Sequence, residues 1–481
     1  MPRPAFLQQL TTLTLLLVVS PLAVLHADPA IARPAQITNP VITQRADTAI
    51  IKHTDGFYYM TASVPDYKRV ELRRATTLQG LGTASTVTAF TAPSSGALSG
   101  YLWAPDIRFY DGAWYLYFSG APGTARFDQR IYWMRTTSAD PTQGTWTAPA
   151  RLTTNWDSFS LDPASFEHNG SRYLVWAQKE PGIATNSNLY ISRMNGATAI
   201  SGQQVRIAVP TLAWEKEGYA VNEGPQIVTK NGKIFIAYSA AATDARYKLG
   251  LLTASGTANL LDPASWSKTP NPVFTTANGV YGPGHGSFTV AEDGTTDILV
   301  YHARDYDPPA PDALTDPNRH TRMQQLLWKD DGSPFFGQPS PNGATRTRIQ
   351  GSSSGKCLDN YDYDTTPGAP VKLYDCNGNT VQQFDFDYLG TSHYRIVNRN
   401  TGTCLEDKNG STTSNTEVVL NPCDGSAAQR WGIRDRANGW FQLYNVGGGM
   451  CLDNYNHDSA NGARISLYAC NTSTAQMWRR A

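Results

Sequence analysis

Cys357-Leu358-Asp359, Cys404-Leu405-Glu406 and Cys451-Leu452-Asp453 are three copies of one pattern, Cys-Leu-acid, each 47 residues from the next. Every first cysteine is followed 19 residues later by a second: Cys376, Cys423 and Cys470. The same period relates Gln382-Gln383-Phe384, Gln429-Arg430-Trp431 and Gln476-Met477-Trp478. A strict period over three units marks a repeat architecture, in which each unit is one supersecondary element that buries its apolar face only against its neighbours. Six cysteines allow many pairings. The repeat favours one bridge per unit: Cys357–Cys376, Cys404–Cys423 and Cys451–Cys470.

Outward from this repeat, all six cysteines lie beyond Lys356, which suits an oxidising destination. At the other end, Arg3 precedes an apolar run from Leu10 to Leu25 and a small residue, Ala27. That order predicts a signal peptide over residues 1–27 and a secreted, extracellular protein. No second apolar stretch approaches that length. The 481 residues carry 40 Lys+Arg against 40 Asp+Glu. Zero net charge leaves no electrostatic footprint for nucleic acid or an anionic membrane. Aromatic residues make up 11% and charged residues 17%, which suits β structure and flat apolar faces, either as core or as platforms for sugar rings.

The repeat resembles the ricin-type β-trefoil lectin family, carbohydrate-binding module family 13, over residues 346–481. The resemblance implies one sugar site per unit, built from the acid after the first cysteine and an aromatic two residues before the second. Units one and three offer Asp359 with Tyr374 and Asp453 with Tyr468. Unit two has Glu406 but Asn421 at the aromatic position, so it is expected to be weak or silent. Many members carry Asn before the repeat glutamine, where this chain has Val381, Ala428 and Ala475. The third hydrogen-bond partner is then Gln382 and Gln476, or Asn377 and Asn471. The glutamine and aromatic of each repeat have an alternative use, sealing the centre of the trefoil.

Residues 36–340 contain no cysteine and repeat more quietly. Asp55-Gly56, Asp111-Gly112, Asn169-Gly170, Asn231-Gly232 and Asp293-Gly294 begin hairpin-like stretches 56, 58, 62 and 62 residues apart. Asp-Gly and Asn-Gly favour type I′ turns, whose two central residues need positive φ. Five such units predict a five-bladed β-propeller, so the whole chain reads as all-β, a propeller followed by a trefoil. Gly337-Gln338-Pro339-Ser340-Pro341-Asn342-Gly343 is rich in turn formers and reads as a linker. A cut near Asn342 is then expected to release two bodies that fold independently.

Eight residues before each turn stand Asp47, Trp103, Glu223 and His285; Asp162 stands seven before its own. In a propeller the first strand of every blade lines the channel, so these positions converge. Three carboxylates, an aromatic and a histidine at a channel mouth suit glycoside hydrolysis. Arg45-Ala46-Asp47, Leu102-Trp103-Ala104-Pro105-Asp106, Ser160-Leu161-Asp162-Pro163, Val221-Asn222-Glu223-Gly224-Pro225 and Tyr281-Gly282-Pro283-Gly284-His285 resemble glycoside hydrolase family 43. Thr54-Asp55-Gly56-Phe57-Tyr58-Tyr59 and Asp316-Pro317-Asn318-Arg319-His320-Thr321-Arg322 bring the likeness nearest to its exo-acting α-L-arabinofuranosidases. One departure is Thr48, where such enzymes usually have proline.

The resemblance implies that Asp47 is the general base, Glu223 the general acid and Asp162 the modulator that raises the acid's pKa by like-charge repulsion. The reaction is inverting, with base and acid roughly 6.5–9.5 Å apart to admit the attacking water. His285 is placed at the channel centre, in some members beside a hydrated ion such as Ca²⁺. No cofactor is required, and a single histidine without a ligand cluster does not make a zinc site. Arg319 and Arg304 compete to contact sugar hydroxyls, and Trp103 is either the wall of the sugar pocket or propeller core. The expected substrates are arabinan and arabinoxylan. β-Xylosidase, endo-arabinanase and galactosidase activities share the fold, and a non-catalytic lectin is the reading from another class.

Overall fold

The five hairpin stretches open five sheets of the propeller in a computed structural model, which describes Met1 and residues 36–308, 312–345 and 347–481. The expected signal peptide falls, Met1 apart, outside the described residues. Blade I is Ala46–Lys52, Tyr58–Ser63, Arg69–Ala75 and Val87–Thr91, each strand antiparallel to the next. Blades II, III and IV repeat this four-stranded order from first strands Gly100–Tyr110, Ser160–His168 and Asn222–Lys230. Blade V has three strands, Tyr281–Val290, Asp297–Arg304 and His320–Gln325. The first strands touch their neighbours around a ring, the fifth returning to the first.

The N-terminal segment completes blade V. The N–H of Val41 donates to Thr321 O at 2.9 Å, and Thr321 N–H returns the bond to Ile42 O at 2.9 Å. The ring is thus closed by chain from its own beginning. Thr48, the departure from the family pattern, contributes here: its hydroxyl lies 2.7 Å from that of Thr321. A proline at this position has no such group to offer.

Type I′ geometry holds in blades II, III and IV, where Asp111-Gly112, Asn169-Gly170 and Asn231-Gly232 all have positive φ. It fails in blades I and V. There only the glycine is left-handed, because the strand pairing ends earlier and longer loops, such as the one closed by His53 N–H on Phe57 O, replace two-residue turns.

The C-terminal repeat forms a twelve-stranded sheet with threefold internal similarity. The three disulfides join the cysteines as the repeat implied, Cys357–Cys376, Cys404–Cys423 and Cys451–Cys470. Phe384, Trp431 and Trp478 are fully buried at its centre. The indole N–H groups of Trp431 and Trp478 donate to Leu405 O and Leu452 O, the equivalent carbonyls of their units.

Residues 337–343 are not a free linker. Ser340 is buried, its N–H donating to Gln324 Oε1 at 2.9 Å, and Gly343–Ala344 pairs with Thr38–Asn39. The apolar core runs on from blade V into the trefoil through Leu327, Trp328, Phe335 and Phe336. Phe335 meets Phe441 edge to face, with centroids 5.6 Å apart. Polar contacts frame this seam. Asp330 pairs with Arg434 at 2.9 Å, Gln325 donates to Phe386 O at 2.9 Å, and the Tyr394 hydroxyl accepts from the N–H of Trp328.

Candidate active site

Every first strand of the propeller is bulged near its start. The pairing register shifts after Ala46, Trp103, Leu161, Glu223 and Gly284. One residue at each bulge is left-handed: Asp47, Ala104, Asp162, Gly224 and His285. A bulge breaks the alternation of a strand and re-aims its side chains, so two consecutive residues can face one pocket, as Leu161 and Asp162 do. The left-handed residue stands seven before the turn in blades II, III and IV and eight before it in blades I and V, where the loops are longer. Asp47, Asp162 and His285 are the left-handed residues themselves, whereas Trp103 and Glu223 precede theirs by one.

The bulges surround a cavity of about 740 Å³ whose lining includes Asp47, Trp103, Asp162, Glu223, His285 and Arg319. Asp47 is 7% exposed. Its Oδ1 lies 3.3 Å from Arg319 Nη1, 3.4 Å from His285 Nδ1 and 3.2 Å from His302 Nδ1. Burial alone raises a carboxyl pKa, but Arg319, then His285 and His302, hold Asp47 well below the usual carboxylate range. Arg319 also donates to the Tyr67 hydroxyl at 2.9 Å.

Glu223 faces the cavity in a different environment. Burial pushes its pKa up to about 7, the Tyr247 hydroxyl that donates to its Oε1 at 2.9 Å pulls it down, and the negative charge of Asp47 raises it. Asp162 accepts from Gly224 N–H at 2.8 Å, yet burial, then Glu223, then Asp47 push it well above its ordinary value. The influence between Asp162 and Glu223 is therefore reciprocal, and the two titrate as a pair, rather than one fixed anion acting on one acid. At neutral pH and below, the pocket holds an ionised carboxylate on blade I and a carboxyl that can carry a proton on blade IV. Gly224 is needed for close approach as well as for its φ of +56°, since a Cβ there would stand 3.0 Å from His285 Nδ1.

Trp103 lines the cavity and is also 8% exposed core, so it serves as wall and core together. The expectation for Arg304 is corrected. Its guanidinium is fully buried, donating to Asp316 Oδ2 at 3.0 Å and to the carbonyls of Thr243 and Ala313. It ties loops together and does not line the cavity, whereas Arg319 reaches it. Among the described residues no group of three or more His, Cys, Asp and Glu side chains could hold a metal. His285 faces Asp47, its Nδ1 3.4 Å from Oδ1.

Sequence reasoning missed His302 and Tyr247. Neither lies on a first strand, the element whose equivalent positions converge from blade to blade. The signal for His302 was a histidine inside an apolar strand, Tyr301-His302-Ala303. Its Nδ1 is 3.1 Å from the Asp47 N–H as well as close to the carboxylate. Burial pushes its pKa down to about 3, so the ring is neutral. Bare, Nδ1 accepts from the amide; protonated, it donates to the carboxylate. In both tautomers this nitrogen holds Asp47.

In the trefoil, Gln382 and Gln476 are fully buried and are not free for sugar. Each spends its amide N–H on the unit's acid, Asp359 Oδ2 at 2.8 Å or Asp453 Oδ2 at 3.0 Å, while its Oε1 accepts from the N–H of Asn377 or Asn471. Asn377 and Asn471 use their Oδ1 on the N–H of Asn379 and Ser473 and their side-chain N–H on Asp375 O and Ala469 O. Tyr374 and Tyr468 stand exposed beside these acids. In unit two Glu406 accepts from Gln429 at one oxygen and from Asn421 at the other, so its carboxylate is already engaged. Tyr374→Ala and Tyr468→Ala should each weaken retention on immobilised polysaccharide. The double variant should lose more than either, since two weak sites on one body act together. Glu406→Ala should change little, and loss of binding there with a normal tyrosine double variant would reverse the assignment.

The family model for glycosyl hydrolases family 43 matches residues 37–334. The chain belongs to that family. A second family model, the ricin-type beta-trefoil lectin domain, matches residues 345–478. This family 43 chain is 49% identical over 326 residues to an extracellular exo-alpha-(1->5)-L-arabinofuranosidase of Streptomyces avermitilis, covering 67% of this chain and 68% of the relative. It is 46% identical over 355 residues to alpha-L-arabinofuranosidase 43 of Humicola insolens, covering 73% and 72%. A solved structure of an alpha-L-arabinofuranosidase from Lactobacillus brevis shares 45% identity with a TM-score of 0.62, over 63% of this chain and 97% of that one. The family 43 chain is thus an extracellular glycoside hydrolase with a ricin-type lectin domain. No helix among the described residues is long and apolar enough to cross a membrane.

Proposed function

We propose that the protein releases terminal α-L-arabinofuranosyl residues from arabinan or arabinoxylan, with inversion at the anomeric carbon. Asp47 is the general base, Glu223 the general acid and Asp162 the group coupled to that acid. Arg319, His285 and Trp103 bind the terminal sugar. The observation that carries this reading is the split within one pocket between Asp47, held ionised, and Glu223, able to keep its proton to about pH 7. A carboxylate that draws a proton from water and a carboxyl that gives one to the departing oxygen are what inverting hydrolysis needs. The names of the relatives supply the arabinofuranosyl substrate.

Exo action has support of its own. Arg126, on the blade II side, pairs with Asp312 of the blade V loop at 2.8 Å, and the Tyr67 hydroxyl donates to Leu314 O at 3.0 Å. These contacts wall one side of the cavity, favouring a chain end over a chain passing through. The test is hydrolysis of a nitrophenyl glycoside panel combined with NMR of the first sugar released. The α-L-arabinofuranoside should be the preferred substrate and the β anomer should appear before mutarotation. Preference for a β-xyloside or β-galactoside would displace the substrate assignment, and early α anomer would displace the mechanism.

A further inference from the structure

Asp47 and Glu223 stand on blades I and IV, with blade V between them on one side of the ring. Two aromatic rings span that gap. His302, on the second strand of blade V, engages Asp47 through Nδ1 at 3.1 Å from its N–H and 3.2 Å from Oδ1. Tyr247, just before the third strand of blade IV, donates to Glu223 at 2.9 Å. The two rings lie parallel, 8° between planes and 5.8 Å between centroids. They are 1% and 2% exposed. Behind Tyr247 runs Gly284, where a Cβ would stand 2.2 Å from the ring. The backbone of blade V therefore leaves room for this ring and backs it directly.

We propose that the stacked pair His302 and Tyr247 is a spacer that sets the separation between the general base and the general acid. The inference rests on the catalytic roles assigned above and makes both aromatic residues positioning residues, not catalytic ones. An inverting enzyme must keep its two carboxyl groups far enough apart to admit one water and no farther. Flexible side chains on separate blades do not fix such a gap. Two stacked rings do, because each has only two side-chain torsions and aromatic pairs prefer an offset stack at this centroid distance. Misplacement of a catalytic group by about 1 Å costs on the order of 10²-fold in rate.

The groups facing Glu223 are Tyr247 from blade IV, Asp47 from blade I and Arg319 from blade V, with Asp162 of blade III coupled to it. Of these, Tyr247 donates to the acid. Tyr247→Phe keeps the ring and removes the bond that favours ionised Glu223. The basic limb of the kcat/KM profile, set near the acid's value of about 7, should then move up. A shift of about one pH unit is the size of one hydrogen bond to a charged group. Tyr247→Ala and His302→Ala should each lower kcat by roughly 10²-fold with KM little changed, and His302→Phe, which keeps a ring, should retain more activity than His302→Ala. The double alanine variant should be no worse than either single one, since two halves of one device are lost together. Additive losses in the double variant, or an unmoved basic limb in Tyr247→Phe, would overturn the spacer. All variants are compared on whichever glycoside the native enzyme cleaves best. A native enzyme with the wrong substrate or anomer therefore removes the functional reading by a separate result.

Discussion

Asp47→Asn is expected to lower kcat by at least ~10²-fold, the lower end for losing general acid–base catalysis, without unfolding the protein. The amide fits the same space and can still accept from Arg319 Nη1, now 3.3 Å away. It has no negative charge to draw a proton from water. Glu223→Gln should give a loss of similar size for the opposite reason, since an amide cannot deliver a proton to a departing oxygen. The Tyr247 hydroxyl can still donate to its carbonyl, so the fold loses little. The two variants separate with leaving group. A good nitrophenolate leaving group needs little protonation, so Glu223→Gln should recover on nitrophenyl substrates relative to arabinan, while Asp47→Asn should not. Steady-state kinetics on both substrates, with thermal melting as a control, decide it. Turnover near that of the native enzyme in either variant would remove that residue from the chemistry.

Deletion of residues 346–481 is expected to leave an unstable propeller, contrary to the expectation from the turn-rich stretch 337–343. The cut uncovers Phe335, which meets Phe441, and the side of Trp328 that meets Tyr394, in a core continuous with that of the trefoil. Exposing side chains of this size costs about 1.5–3 kcal/mol each, and a domain's whole stability is about 5–15 kcal/mol. Phe441→Ala, which hollows the same seam in the full chain, should cost about 3–5 kcal/mol. Thermal melting should show one transition for the native chain, shifted down in Phe441→Ala. A truncated propeller with unchanged melting temperature and kcat would mean that the seam is only a contact and that the linker reading stands after all.

What could be read from the chain beforehand was whatever repeats. Cys357 and its period-mates carried the trefoil and its disulfides, because covalent spacing survives any change in the surrounding core. The first-strand residues carried most of the pocket, because a propeller brings equivalent positions together. Arg304 and Arg319 were not separable by sequence: both lie near blade V, and only packing consumes one guanidinium. Gln382 and Gln476 were ambiguous for the same reason, an amide having enough donors and acceptors for either role. Tyr247 left no signal and His302 only a histidine within an apolar strand, because their effect comes from facing each other across two blades. Residues 337–343 read as a linker because Gly, Pro and Asn describe backbone bends and say nothing of what packs against them.

The ring that Val41 and Ile42 close on Thr321 has a temporal consequence. Asp47 emerges early in synthesis, whereas His302 and Arg319 follow it 255 and 272 residues later. No partial chain can assemble the base, and contacts of such long range form slowly. Recovery of activity during refolding should therefore lag behind recovery of β structure, because hydrolysis begins only when the last blade has met the first. Trimming the chain past Ile42 should reopen that joint beside Asp47. The catalytic centre is in this sense a latch on the completed circle, live only in the finished fold.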